Sequence, residues 1–283
     1  MGLFGLFKRR DDPRKELRAL LAGYELPSFP GLVMEALSLL RDPDSSMTDV
    51  ARRLEADPGI HVKVLQMVNS AAFALSNKVT NVHRAVTLLG RSRLETLILT
   101  HAVSKTVGKD AAPAIDMKQF WFASARRAFV ARSLATRLHP ATRMEAFTAG
   151  LLQDMAVPVL ARVRSEHYPS ILDEWRADGV GLDRLERDRL GYDHPAVGML
   201  MAEEWGLPDG LVVAIAGHHR DQEGLPPPEP SVRLVSLLTD QEITEGSRFV
   251  ERCQEELSLT SEAIQRLIRE ATTEAAEFSQ LLT

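Results

Sequence analysis

The sequence has one cysteine and no long apolar run, and these two shortages exclude several classes of protein. The single cysteine among 283 residues, Cys253, allows neither an internal disulfide nor a cysteine-rich zinc site. No uninterrupted run of about 18 apolar residues is present, so no membrane-spanning helix is predicted. We therefore expect a cytoplasmic protein in which Cys253 is an ordinary packed side chain.

The start of the chain does not have the order of a secretory signal. Its apolar residues 3–7 (LFGLF) precede the basic residues 8–10 (KRR), whereas a secretory signal has the reverse order and a longer apolar stretch. Two interpretations remain for this tail. It docks weakly on a membrane or a partner, or it is a frayed terminus, which is the more common case.

Aromatic residues are also scarce, and basic residues are not in excess over acidic ones. Aromatics make up 6% of the chain, β-type alternation is absent, and apolar residues recur with helical spacing instead. The net charge of −5, from 34 basic and 39 acidic residues, argues against nucleic acid as a partner. Because 45% of residues are hydrophobic, a large core can form without disulfides or a structural metal. The sequence predicts an all-α protein, a multi-helix bundle.

Local signals place several helix ends. Thr48 is predicted to cap a short helix, and Gly90 is predicted to end the helix that Asn81 begins. A long helix is predicted from about Lys118 to Leu138.

Five residues that carry chemistry stand near the ends of apolar helical stretches: Asp154, His194, His218, His219 and Asp240. Imidazole and carboxylate groups aimed inward from several helices are the ligands of metal sites in helical cores. Two adjacent histidines can both reach a cleft when they lie at a helix end. The alternative is that Asp154 caps a helix and that His194 bonds a neighbouring carbonyl.

The order of many short motifs resembles the HDOD family. The first half carries residues 26–30 (LPSFP), 57–58 (DP), 64–71 (VLQMVNSA), 79–86 (VTNVHRAV) and 88–90 (LLG). The second half carries residues 120–121 (FW), 149–154 (AGLLQD), 193–194 (DH) with Gly198, 205–208 (WGLP) and 218–219 (HH). The resemblance covers roughly residues 20 to 245. It implies a distant relationship to the HD and HD-GYP metal-dependent phosphohydrolases.

The resemblance also implies which metal ligands are kept and which are lost. Asp154 and His194 match ligand positions, as do one or both of His218 and His219, and Asp240 is a candidate for a late aspartate. Ala123 and Gln153 stand at two other ligand positions. Alanine has no lone pair, and an amide oxygen is a poorer transition-metal ligand than imidazole. We therefore expect no enzymatic activity, no cofactor and no metal; if a metal binds, its ligands are Asp154, His194, His218 and His219.

Two further sets of residues have alternative roles. Asn69 and Ser70 either satisfy carbonyl groups at a helix end or line a partner groove, and the first role is favoured. The arginines Arg91, Arg93, Arg126 and Arg127 either form solvated helix faces, which is favoured, or bind an anion such as a nucleotide phosphate.

The predicted organisation is a tail at 1–19, an N-terminal helical part at 20–112, an HD-like core at 113–245 and C-terminal helices at 246–283. The resemblance implies a bacterial signal-transduction role in a cyclic di-GMP, two-component or motility circuit. Because no receiver, kinase or diguanylate cyclase domain is recognised in this sequence, we expect a stand-alone HDOD protein. We expect it to bind a signalling protein of unknown identity through an apolar groove between the N-terminal part and the HD-like core. The alternatives are a degenerate metal-dependent phosphodiesterase and a nucleotide sensor that does not hydrolyse its ligand, such as a cyclic dinucleotide.

Overall fold

The computed structural model describes residues 13–20, 26, 28–29, 31–56, 58–70, 78–108, 112–178, 181–219, 226–238 and 247–282. Within these residues the protein forms fifteen α-helices and no strand. The predicted all-α class is confirmed. Apolar side chains from the N-terminal, middle and C-terminal helices meet in one continuous core.

The described residues of the N-terminal part form five α-helices. They are α1 (Pro13–Leu20), α2 (Gly31–Arg41), α3 (Met47–Glu55), α4 (Pro58–Val68) and α5 (Val82–Gly108). The cap of α3 is Ser46, whose hydroxyl accepts a 3.1 Å hydrogen bond from the backbone N–H of Asp49. The predicted cap, Thr48, was wrong by two residues, because Thr48 already lies inside the helix.

Gly90 breaks α5 as predicted, but the chain resumes a helical path at once. Its backbone angles, φ 70° and ψ 178°, are non-helical and separate residues 82–89 from residues 91–108. This combination is accessible to glycine and costly for residues that carry a Cβ atom. After the kink, α5 packs against the HD-like core, where Thr96 and Thr148 share a buried 2.9 Å hydrogen bond.

The described residues of the HD-like core form eight α-helices. They are α6 (Met117–Leu138), α7 (Arg143–Leu152), α8 (Val157–Val163), α9 (Tyr168–Asp178), α10 (Leu182–Leu190), α11 (His194–Glu204), α12 (Asp209–Gly217) and α13 (Pro230–Val235). The long helix predicted from Lys118 to Leu138 is confirmed to within one residue. Asp116 caps it, since its carboxylate accepts from the backbone N–H of Lys118 at 2.9 Å.

One described stretch, Pro140–Val163, has a mean hydropathy of 1.2 over an 18-residue window, high enough for a membrane span by composition and length. It contains α7 and α8, and 83% of that window is buried inside the fold. Its apolarity is therefore explained by its place in the core of the bundle.

The C-terminal helices α14 (Arg248–Leu257) and α15 (Ser261–Ser279) complete the core. α15 packs along α6, and Phe278 makes edge-on contacts with Phe129 and Phe147 at centroid distances of 5.8 and 5.7 Å. The described C-terminal residues 247–282 thus share a core with the preceding helices.

Candidate functional site

Four side chains predicted from the sequence converge at the centre of the HD-like core. Asp154 lies in the turn between α7 and α8, His194 begins α11, and His218 and His219 follow α12. One ligand atom from each lies within 4.8 Å of all the others. Four side chains that are up to 65 positions apart in the sequence are thereby brought together at the ends of three helices.

The distances within this cluster are short and similar to one another. His194 Nε2 lies 3.2 Å from His218 Nε2 and 3.1 Å from His219 Nε2. Oδ1 of Asp154 lies 3.4 Å from His194 Nε2 and 3.1 Å from His218 Nε2. Although these distances are short, Oδ1 of Asp154 is buried and its geometry to the two rings is not that of a hydrogen bond. Four electron-rich atoms therefore point at a common centre.

The imidazole rings are held from behind so that their Nε2 atoms face this centre. Nδ1 of His194 lies 2.6 Å from a carboxylate oxygen of Glu186, and Nδ1 of His218 lies 2.7 Å from the carbonyl oxygen of Ile215. Both partners are acceptors, so each Nδ1 carries the proton. Such contacts fix the tautomer that leaves the Nε2 lone pair available to a ligand.

Glu186 is a site residue that was not predicted from the sequence. It is fully buried on α10, and its carboxylate accepts hydrogen bonds from the Tyr168 hydroxyl and from the backbone N–H of His194 at 2.7 Å. A sequence signal exists, because Glu186 lies four residues after Leu182 and next to Leu185 on the apolar stripe of its helix. A charged residue at such a position needs a buried partner.

Neither alternative role is the one observed: Asp154 does not cap a helix, and His194 Nδ1 contacts a carboxylate of Glu186 where a neighbouring carbonyl was considered. Asp193 caps α11 instead, accepting from the backbone N–H of Ala196 at 2.9 Å. Oδ2 of Asp154 forms a 2.6 Å ion pair with Arg127 of α6. Burial alone raises the pKa of Asp154, but the Arg127 guanidinium and the two nearest imidazoles outweigh it and hold that pKa well below its usual range.

The histidines differ in their affinity for protons. Burial lowers the pKa of His194, but the carboxylates of Glu186 and Asp154 outweigh burial and raise it to about 10. Burial, reinforced by the neighbouring imidazoles, holds the pKa of His219 well below its usual value. In the absence of a cation, one proton on His194 thus relieves the repulsion among the converging atoms.

The cluster fits a single small transition-metal cation. Four ligands of a tetrahedral zinc ion with bonds of about 2.0–2.1 Å are about 3.3 Å apart. Four of the six distances among the ligand atoms here are 3.1–3.4 Å, and all six lie within 4.8 Å. Three neutral imidazoles and one carboxylate are a donor set suited to zinc and its neighbours. The residues that would hold the ion are Asp154, His194, His218 and His219.

The two positions predicted to have lost their ligands lie beside the cluster. Ala123 of α6 lines the adjoining cavity, and Gln153 is buried next to Asp154. Oε1 of Gln153 has no hydrogen-bond partner within the described part of the chain. Asp240, the fifth candidate, falls outside the described residues.

A cavity of about 640 Å³ opens onto the cluster. Its lining includes Arg127, Arg176 and Arg248 together with the aromatic rings of Phe120 and Trp175. Among the four arginines predicted as anion ligands, Arg127 is the one that reaches this cavity. The structure places the others elsewhere: the Arg91 guanidinium bonds carbonyl groups at the end of α2 at 2.8–3.1 Å, and Arg126 packs over Phe122. Arg93 is half-buried on α5 outside the cavity lining.

Asn69 and Ser70 satisfy backbone groups. The Asn69 amide donates to the carbonyl oxygens of Leu65 and Val79 at 2.7 and 2.9 Å and accepts from the N–H of Val79 at 2.8 Å. The Ser70 hydroxyl donates to the carbonyl oxygen of Met67 at 2.6 Å. These contacts match the favoured helix-end role, and a role in a partner groove stays a prediction.

A second concave surface lies between the N-terminal part and the HD-like core, where an apolar groove is predicted from the sequence. We call it the α5–α12 groove. It has a volume of about 700 Å³ and is formed by residues 92–99 of α5, 142–149 around α7, 208–214 of α12 and 226–232.

Comparison with known proteins agrees with the motif resemblance. A model of the HDOD domain matches residues 26–221. A curated protein of Treponema pallidum, named only as uncharacterized, is 22% identical over 196 residues, which is 69% of this chain and 38% of that protein. The chain thus spans less than half the length of that relative.

Solved structures share the fold. A candidate phosphohydrolase of Shewanella amazonensis matches with a TM-score of 0.75 and 24% identity, covering 94% of this chain and 98% of that one. An HDOD protein of unknown function from Geobacter sulfurreducens matches with a TM-score of 0.67 and 20% identity over 96% and 98% of the two chains. A candidate signal transduction protein of Marinobacter aquaeolei matches with a TM-score of 0.68 and 20% identity, covering 100% of this chain and 69% of that one. At these identities the likeness concerns the fold.

Proposed function

Because the chain belongs to the HDOD family, we propose that it is a signalling module that works by binding a protein partner and does not hydrolyse phosphodiesters. Its setting would be a bacterial cytoplasmic circuit of the two-component, cyclic di-GMP or motility type. The coordination of the histidine–aspartate cluster supports a role without catalysis.

The cluster offers four protein ligands to one cation, which is the pattern of a closed site. Catalytic zinc sites keep three protein ligands and leave a position for water or substrate, whereas structural sites use four. Hydrolysis needs that open position, because the metal must lower the pKa of an attacking water and contact the phosphate oxygens. When bound here, a cation would supply a fixed positive charge and a cross-link between α11, α12 and the turn before α8.

The surroundings of the cluster also disfavour a second cation. Ala123 offers a methyl group and Gln153 a neutral amide at the positions where ligands were expected. The remaining oxygen of Asp154 is held by Arg127 at 2.6 Å. A second cation at this side of Asp154 would meet the guanidinium charge in a poorly solvated site, where like charges repel strongly.

Metal content and turnover together test this proposal. The untagged full chain is purified without chelator, analysed by mass spectrometry for metals, and assayed with bis(p-nitrophenyl) phosphate and cyclic di-GMP in the presence of Zn²⁺, Mn²⁺ or Mg²⁺. We expect at most one tightly held equivalent and no turnover above buffer. His219→Ala should lose that equivalent, whereas His167→Ala, an exposed histidine outside the cluster, should keep it. Turnover that Asp154→Ala abolishes would refute the proposal in favour of a degenerate phosphodiesterase.

The α5–α12 groove supports the binding role. Its floor contains Leu99, Ala146, Leu211 and Val213, and its volume of about 700 Å³ lies in the usual range of ligand pockets. An apolar concave surface that joins two parts of a protein is a common place for a partner segment to dock.

A second candidate function is a sensor of a phosphate-containing small molecule that is bound without being cleaved. The cavity beside the cluster favours it, since Arg176 and Arg248 can face phosphate while Trp175 and Phe120 offer aromatic surfaces to a base. Titration of the full chain with cyclic di-GMP would then show saturable, salt-sensitive binding without turnover. Arg248→Ala should weaken it, whereas Arg269→Ala on α15, outside the cavity, should not.

A further inference from the structure

The α5–α12 groove and the histidine–aspartate cluster lie at opposite ends of the same helices. α12 lines the groove with residues from 208–214, and His218 and His219 of the cluster follow its other end. α7 lines the groove with residues from 142–149, and Asp154 of the cluster follows its last residue by two positions. Both helices therefore run from the groove to the cluster.

α13 runs in the same direction. Residues from 226–232 line the groove, and residues 236–238, directly after the helix, line the cavity that opens onto the cluster. The three helices pack against one another. At the groove, the Thr142 hydroxyl before α7 donates a 2.5 Å hydrogen bond to the carboxylate of Glu229 before α13. A displacement of one helix end at the cluster is thus carried to the groove by packed neighbours.

The distance between the two sites is short. A helix rises about 1.5 Å per residue, so the seven residues from Leu211 to His218 span about 10 Å, and the eight from Ala146 to Asp154 span about 12 Å. The His218 ring is also tied to its own helix, because its Nδ1 lies 2.7 Å from the carbonyl oxygen of Ile215. A force on the ring therefore acts on the end of α12.

The cluster supplies such a force when a cation is bound. Its oxygen and nitrogen atoms lie 3.1–3.4 Å apart in four pairs and direct lone pairs at one centre. A cation at that centre attracts all four atoms, so the end of α12 is held against the turn after α7. Without the cation the same atoms repel one another. A proton on His194 relieves part of that repulsion, but it cannot bond all three neighbours at once.

We propose that the histidine–aspartate cluster is a regulatory cation site, and that a cation such as Zn²⁺ bound there fixes the α5–α12 groove in the shape that receives a partner. Loss of the cation loosens the ends of α7 and α12 and lets the groove floor open. Partner binding then depends on metal availability, and a partner raises the affinity for the cation by the same factor. This inference rests on the binding role proposed for the groove, but not on the absence of turnover.

Thiol labelling of the full chain tests the coupling. Ala146→Cys places a small thiol in the groove floor, where Ala146 is 1% exposed. The native thiol of Cys253 on α14 is also buried and reports opening of the fold as a whole. Rates of reaction with N-ethylmaleimide are read by peptide mass mapping, with one equivalent of Zn²⁺ or with chelator. We expect Zn²⁺ to slow the groove thiol at least tenfold and Cys253 at most twofold.

Two further variants separate the coupling from other effects of Zn²⁺. His219→Ala, added to Ala146→Cys, removes one ligand of the cluster and should abolish the slowing. Zn²⁺ bound directly to the introduced thiol would still slow its reaction in that variant. His167→Ala, an exposed histidine outside the cluster, should leave the slowing intact.

Thermodynamic linkage predicts a reciprocal effect in the same material. Once the thiol of Ala146→Cys is alkylated, the adduct crowds the groove floor and favours its open form. Competition with a chelating dye should then show Zn²⁺ affinity at least fivefold lower than that of the unmodified chain. Glu166→Cys, alkylated at an exposed position outside the groove, should bind Zn²⁺ as the unmodified chain does.

Three results would overturn the inference. Equal slowing of both thiols would show that the cation stabilises the whole fold without controlling the groove. Unchanged labelling of the groove thiol at one bound equivalent of Zn²⁺ would show that the two sites are independent. Failure of the unmodified chain to bind Zn²⁺ would exclude a regulatory cation site. None of these results depends on turnover, so failure here is distinguishable from failure of the proposed function.

Discussion

Replacing Glu186 by glutamine should destabilise the protein out of proportion to the small change in shape. Glu186 is fully buried and accepts hydrogen bonds from the Tyr168 hydroxyl, the His194 backbone and the His194 ring. A neutral amide removes the charge assistance from all three bonds, and its NH2 group replaces the oxygen that accepts from the Tyr168 hydroxyl. Each such bond contributes about 1.5–3 kcal/mol. We expect a loss of about 2–3 kcal/mol in the free energy of unfolding, or roughly 3–5 °C in Tm for a chain of this size.

The measurement is urea unfolding followed by circular dichroism, in the presence of chelator so that no bound cation contributes. Glu174→Gln on the neighbouring helix α9 is the matched control. Glu174 pairs with Arg189 at 2.5 Å but is a third exposed, and such surface pairs contribute about 0–1 kcal/mol. A double-mutant cycle with Tyr168→Phe should give a coupling energy of about 1 kcal/mol or more. Equal effects of the two glutamine variants, or a coupling energy near zero, would refute the role assigned to the Glu186 carboxylate.

Other predictions address packing and the single thiol. Gly198→Ala should cost about 1–3 kcal/mol in the free energy of unfolding, because its Cβ would lie 2.8 Å from Ile215 Cγ2. Gly210→Ala, where a Cβ meets open space, should be neutral or slightly stabilising. Urea titrations of the two variants measure this difference, and equal stabilities would contradict the packing at Gly198. Phe278→Ala should cost about 3–5 kcal/mol since the ring is 1% exposed in a cluster of three phenylalanines, and a loss below about 1 kcal/mol would show that α15 is not part of the core. Burial raises the pKa of the Cys253 thiol to about 12, so a disulfide reagent at pH 8 should label one thiol per chain in urea and none in the folded protein within minutes; rapid labelling of the folded chain would contradict this packing.

The fold could be predicted from the sequence because its signals are local. Apolar spacing set the helical class, and the ends of α6 and the break at Gly90 follow from residues next to one another in the chain. The cap of α3 was misplaced because Ser46 and Thr48 are both suitable caps. Only the backbone angles, extended at Ser46, distinguish them.

The site could be predicted only in part. The ligand atoms of Asp154, His194, His218 and His219 meet as the motif order suggested. Glu186 lies on the apolar stripe of α10, which indicates burial, but spacing does not reveal its contact with His194 of α11. The role of Arg127 was also missed, since its ion pair with Asp154 joins residues 27 positions apart on different helices. Their partners are chosen by packing, and local sequence does not specify packing.

The kink at Gly90 has a mechanical consequence for the surface where a partner is proposed to dock. Residues 92–99 of α5 form one wall of the α5–α12 groove, and they follow the kink directly. A helix rises about 1.5 Å per residue, so Leu99 lies about 13 Å beyond the pivot, and a bend of about 10° would displace it by about 2 Å. A change in the bend at Gly90 would therefore change the width of the groove, although this glycine lines neither the groove nor the cluster.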